Sequence, residues 1–299
     1  MKRFLIISIF SFLLVSCSND KINENIAAVE DETELAFSEL TDDIDFYNSE
    51  LGVIGDPETK GRFWNFLKKL FCCDATGAAI GAGLGSSAGP GGILLGGLIG
   101  GLVGSVTCSG FIFDDTQTLQ VGEPAQTITC VNVGATIYNS IEAVDLYDSV
   151  GFYHNRIISD IYESSGTEFL SYTEEQIYDL VVHKVKEFFP KQSIKKTMPN
   201  LTKYLDYNST ILSYIEHSDE VGLLNYLKEL YPSRTGEFMV IFRYLDSISS
   251  LAVSDIPSYH EGFKNILNAS NVSVDSKNYI SMVTSVAANS AVLWNVDQE

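Results

Sequence analysis

Basic residues are scarce in this chain. Its 299 residues hold 19 Lys and Arg against 39 Asp and Glu, for a net charge of −20. A surface so acidic repels phosphate, which excludes nucleic acid as a partner. Histidine is scarcer still, with four scattered residues (His154, His183, His217, His260) and no HExxH frame. There is no CxxC pair, P-loop, GxGxxG after a strand, GxSxG elbow or regular repeat, so the common metal, nucleotide and hydrolase signatures are missing. What is present is apolar: 45% of residues are hydrophobic, and the mean hydropathy is +0.09 despite the charge. The apolar residues must therefore be concentrated, and glycine marks where: 13 of the 23 glycines lie between Gly77 and Gly110.

The N-terminus has basic Lys2 and Arg3, then an apolar run from Phe4 to Val15, too short for a helix spanning a membrane, which needs ~20 residues. It ends in Leu14-Val15-Ser16-Cys17, which resembles the lipobox of bacterial lipoproteins. The resemblance implies that residues 1–16 are a signal peptide and that Cys17 carries lipid, palmitate included. Ser18, rather than Asp, after the cysteine implies sorting to the outer membrane. From Ser18 to Thr59 there are thirteen acids and one base, Lys21. Such a run repels itself and stays solvated, so 17–59 reads as an acidic tether, with partial helix around Glu30 to Leu40.

Composition then inverts. Lys60, Arg62, Lys68 and Lys69 lie close together without an acid, and Phe63, Phe66, Leu67, Leu70 and Phe71 form one helical stripe beside Trp64. A helix of this kind suits a membrane interface, with Phe63, Trp64, Phe66, Lys68 and Lys69 in contact with lipid. It equally suits docking on its own domain. Ala75 to Phe113 then holds 39 residues without a charge. Gly77, Gly81, Gly85 and Gly89 recur at every fourth position, as do Gly92, Gly96, Gly100 and Gly104, with Gly97, Gly101 and Ser105 in a row beside the latter. Glycines so spaced strip one helix face of side chains and let another backbone approach. Gly costs about 1 kcal/mol relative to Ala in a helix, so the repeat makes sense only where close packing or lipid offsets that loss. Gly89-Pro90-Gly91-Gly92 is a turn signal. Residues 60–113 thus read as a basic amphipathic helix leading into a helical hairpin with facing glycine arrays. The segment resembles the glycine-zipper stretches of bacterial envelope proteins and the GxxxG-rich helices of two-peptide bacteriocins. That resemblance implies membrane association; burial in protein is the alternative.

With Cys17 taken by lipid, Cys72, Cys73, Cys108 and Cys130 remain, an even number in an oxidising envelope. Cys73 lies four residues before Gly77 and Cys108 four after Gly104, so both extend the glycine rows and meet at the open end of the hairpin. The expected pairs are Cys73–Cys108 and Cys72–Cys130. Zinc is the competing use, disfavoured by the adjacency of Cys72 and Cys73; no metal or cofactor is expected.

Residues 114–136 carry short alternating runs around Gly122-Glu123-Pro124 and read as an extended or β-hairpin connector. From 137 to 299 helical spacing dominates and predicts an all-α domain. Helices are expected from Asp148 or Ser149 to Tyr162, from a Thr173/Gln176 capping box to Pro190, and over 202–216, 218–231, 234–251, 257–268 and 275–294. The fold class is therefore mainly α. Asp148-Ser149-Val150-Gly151-Phe152-Tyr153-His154-Asn155 resembles a stretch of uncharacterised envelope proteins of Bacteroidota-like bacteria. Its His154 is either a buried hydrogen-bond node with Asp148 or Asn155, or a general base. The expected function is a non-enzymatic envelope lipoprotein, bound to membrane through Cys17 and to membrane or protein through the hairpin. A membrane-inserting, bacteriocin-like toxin and a hydrolase using His154 are the alternatives.

Overall fold

The computed structural model describes residues 19–53, 62–118, 145–165, 168–190 and 201–294. They are mainly helical, and no strand occurs among them. Among the described residues ten α-helices follow one another: α1 (Asn19–Glu50), α2 (Arg62–Gly85), α3 (Pro90–Thr118), α4 (Ser149–Ser165), α5 (Glu174–Phe188), α6 (Leu201–Glu216), α7 (Glu220–Leu230), α8 (Thr235–Ile248), α9 (Ile256–Ala269) and α10 (Val274–Leu293). The boundaries from α4 to α10 fall within a few residues of those expected. Thr173 closes the expected capping box, accepting from Gln176 N at 3.3 Å while its own N–H donates to Gln176 Oε1 at 2.8 Å.

The hairpin forms the centre. A Cβ placed on Gly77, Gly81 or Gly85 would strike the carbonyl of Gly100, Gly96 or Gly92 respectively, and the reverse holds for each partner. Gly104 meets the Cys73 carbonyl in the same register. The two backbones therefore pack directly on each other, which only glycine permits. Gly89 is a correction: it has φ +76°, and a Cβ there would meet nothing within 4 Å. It makes the turn rather than the helix contact, the role that a left-handed backbone reserves for glycine.

Around the hairpin lie α10 along α2, α4 on α10 and α3, α6 on α2, and α5 on α3. The second glycine row receives this shell: Gly97 faces Met282, and Gly101 faces Val286 and His154. α10 is the innermost of the surrounding helices. Its small residues Ser281, Thr284, Ser285, Ala287, Ala288 and Ser290 are all buried. Helices without side chains expose their carbonyls, and tyrosines cover them: Tyr204 OH donates to Gly100 O and Tyr279 OH to Ala79 O, both at 2.8 Å. Burial pushes both phenols well above their ordinary pKa.

Three expectations change. Residues 19–50 of the expected tether are one helix, and it docks. Ala36, Leu40 and Ile44, at i, i+4 and i+8, are buried against α8 and α9, where the Phe37 ring fills the notch at Gly236 and Tyr47 that at Gly262. Acids such as Glu34, Glu39 and Asp43 point to solvent, so a strongly charged outer face coexists with a narrow apolar one. Residues 114–118 of the expected connector continue α3, and the rest of it lies outside the described residues. Finally, the hairpin and the helices after it are not separate bodies, because the hairpin is the core on which those helices pack.

Candidate functional site

The open end of the hairpin collects the polar residues of the core. Cys73 and Cys108 form a disulfide there, with Cα atoms 6.4 Å apart, as their places in the glycine rows predicted. Cys72 is buried; its expected partner Cys130 lies outside the described residues, as does Cys17. Next to Cys73 stands Asp74, the last charge before the neutral stretch, fully buried in α2. Ser105 of α3 donates to its Oδ2 at 3.1 Å and Ser290 of α10 donates to the same oxygen. His154 of α4 brings Nε2 to 3.6 Å from it. The other ring nitrogen lies 3.1 Å from Asn155 Oδ1, and Asn155 Nδ2 donates to the Asn289 carbonyl at 2.8 Å.

Four helices thus converge on one acid and one imidazole, and burial decides their charges. Burial pushes Asp74 up to about 7, against the hydroxyls of Ser290 and Ser105 and the Trp294 indole, which favour its charged form. Burial pushes His154 down to about 4, against Asn155 and the Gly101 backbone. Among the described residues, Asp74 Oδ1 and His154 Nε2 have no hydrogen-bond partner. Burial thus pushes both groups towards their neutral forms in the folded chain.

The conspicuous stretch from Asp148 to Asn155 runs into the first two turns of α4, and Val150, Gly151, His154 and Asn155 of it face inward. Gly151 lets α4 approach the Ser285 backbone of α10, and His154 and Asn155 reach the hairpin end. Asp148 does not pair with His154. It turns instead to a second interior cluster, where Lys264 of α9 donates to Asp148 Oδ2 and, at 3.2 Å, to Asp145 Oδ2. Ser281 donates to Asp148 Oδ1 at 3.3 Å. His260 places Nε2 3.9 Å from that oxygen and Nδ1 2.8 Å from the Tyr244 hydroxyl. Burial pushes His260 down to about 4, against the Asp145 charge.

Of the five residues expected at a membrane interface, Lys69 is half-buried and donates to the Glu216 carbonyl at the end of α6 at 3.0 Å. There it caps a helix C-terminus. It borders a cavity of about 300 Å³ lined also by Cys72, Ser218, Leu223, Phe242 and Leu245. The side chains of Phe63, Trp64, Phe66 and Lys68 lie outside the described residues. The span Pro90–Cys108 is long and apolar enough to cross a membrane by length and composition, yet 83% of it is buried inside the protein. Among the described residues, no group of three or more His, Cys, Asp or Glu is placed to hold a metal ion.

Asp74 and Lys264 were not among the expected site residues. Asp74 had a signal, a lone charge at the mouth of 39 neutral residues. Lys264 had none, because its partners lie more than 110 residues earlier. Compared with known proteins, the chain matches no family model, no curated protein and no solved structure.

Proposed function

We propose that this chain is a lipid-anchored, non-enzymatic protein of the bacterial envelope, held through Cys17, in which the glycine-zipper hairpin is the internal scaffold of a helical binding domain. The observation that carries this reading is the cover on the hairpin. Leu95, Leu98, Ile99 and Leu102 are buried under the chain's own helices and Leu94 is half-buried. The apolar faces that lipid or a partner would have received are already occupied, and the tyrosine bonds to hairpin carbonyls suit a protein interior. Insertion would break these contacts and uncover α10. His154 supports the same reading, because a substrate atom reaches its fully buried ring only by opening the packing.

Growth with labelled palmitate tests the anchor. Label is expected in the wild type and not in Cys17→Ser, within the outer-membrane fraction that Ser18 implies. Label in neither protein, or in both, removes the lipoprotein reading. Dye release from vesicles containing anionic lipid tests the hairpin. The Cys17→Ser protein is expected to release none, whereas release would bring forward the membrane-inserting toxin.

A further inference from the structure

We propose that Lys264 and Asp148 condense into an intramolecular amide that joins α9 to the N-terminus of α4. The two side chains are in contact inside the protein, 8% and 5% exposed. The groups around them suit acyl transfer. The Lys264 nitrogen is the nucleophile and the Asp148 carboxyl the electrophile. Ser281 Oγ donates to Asp148 Oδ1, the oxygen on which negative charge collects as the tetrahedral intermediate forms. Asp145 Oδ2, 3.2 Å from the same nitrogen, is placed to carry protons from amine to leaving oxygen. Its side chain is 45% exposed, which gives the released water a way out.

Physical chemistry favours the step. Keeping an ion pair in the interior means desolvating both charges, and condensation abolishes both. Contact between the reacting groups supplies an effective concentration on the order of 10⁵–10⁸ M. The balance is complete without any added reagent: the Lys264 Nζ–Asp148 Cγ bond forms and the Cγ–Oδ2 bond breaks. Oδ2 leaves as water with two of the three ammonium protons, and the third stays on the amide nitrogen. No electrons change hands. The bridge would span 116 residues of chain, and closing so long a loop restricts the unfolded ensemble strongly.

Mass mapping of the purified full chain after reduction tests the proposal. The expected product is a branched peptide joining the segments around residues 148 and 264, lighter than their sum by one water and resistant to thiols. Lys264→Arg and Asp148→Ala should each lack it, and Asp145→Asn should form it about 100-fold more slowly. Wild-type peptides containing Lys264 and Asp148 only at their separate, unmodified masses would overturn the proposal whether or not the variants fold. An unchanged rate in Asp145→Asn would overturn the role given to Asp145.

Discussion

Between α2 and α3 backbone lies on backbone, with Gly77, Gly81 and Gly85 against the carbonyls of Gly100, Gly96 and Gly92. Between α8 and α9 ring meets ring, with the Tyr244 centroid 4.6 Å from Phe263 and 5.8 Å from Tyr259. Both contacts are buried and both are made by helices. They fill space from opposite ends: the hairpin by having nothing to place there, the shell by placing large side chains. The response to added or removed volume should therefore change sign between them. In the hairpin an extra methyl meets an immovable backbone, whereas in the shell a lost ring leaves a hole.

The most damaging change should be Gly81→Leu, which puts a branched side chain where even a Cβ would strike the Gly96 carbonyl. We expect loss of cooperative folding, a loss above about 5 kcal/mol, seen as absence of a thermal transition by circular dichroism. A folded variant with the wild-type Tm would break the comparison. On the shell side, Phe263→Ala should cost about 3–5 kcal/mol by denaturant titration, while Phe263→Leu should cost clearly less. Replacing both Cys73 and Cys108 by Ser should cost about 2–4 kcal/mol. The glycine contacts should still hold the arms together, with the helical spectrum retained at room temperature.

A finer test uses the titrating pair at the hairpin end. The raised Asp74 makes stability fall as pH rises from its unfolded value near 4 to about 7, because the folded state keeps the proton longer. The lowered His154 makes stability fall as pH drops from about 6.5 to about 4, because the unfolded state binds the proton first. In the wild type the two slopes oppose each other, so folding shifts a proton from ring to carboxyl with little net uptake. Asp74→Asn should gain stability relative to wild type as pH rises across this window, and His154→Gln should gain as it falls. The limiting slopes are about 1.4 kcal/mol per pH unit, read from urea titrations at several pH values. Parallel curves for the two variants would show that the pair does not share a proton.

The smallest effects separate glycines of the turn from those of the contact. Gly89→Ala, at φ +76° in open space, should cost about 1 kcal/mol from backbone strain alone. Gly91→Ala, with nothing near its Cβ, should be neutral or slightly stabilising in the same melts. If both cost as much as Gly100→Ala, spacing rather than contact would govern these glycines.

The legible parts were those with a local period. The hairpin and its disulfide follow from four-residue spacing in a charge-free stretch, where no other signal competes. Of α1 the middle, around Glu30 to Leu40, was expected; its full length and its docking were hidden because Ala36, Leu40 and Ile44 are few among many acids, and net charge speaks for the exposed face only. Asp148 and Asn155 were both visible as partners for His154; the structure gives His154 to Asn155 and Asp148 to Lys264, which α9 brings in from far along the chain. Tyr204 and Tyr279 show the same limit: nothing near them in sequence announces that their hydroxyls will meet hairpin carbonyls.

The position of α10 has a consequence for biosynthesis. The last of the described helices is also the one laid most deeply against the hairpin, with Met282 and Val286 on its second glycine row and Ser290 and Trp294 at its open end. Polypeptides emerge N-terminus first, at about 5–20 residues per second. The hairpin is thus made well before α10, and the α2 face and second glycine row that α10 covers must wait for it. A truncation inside α10 should therefore prove more harmful than a deletion of equal length at the beginning of α1.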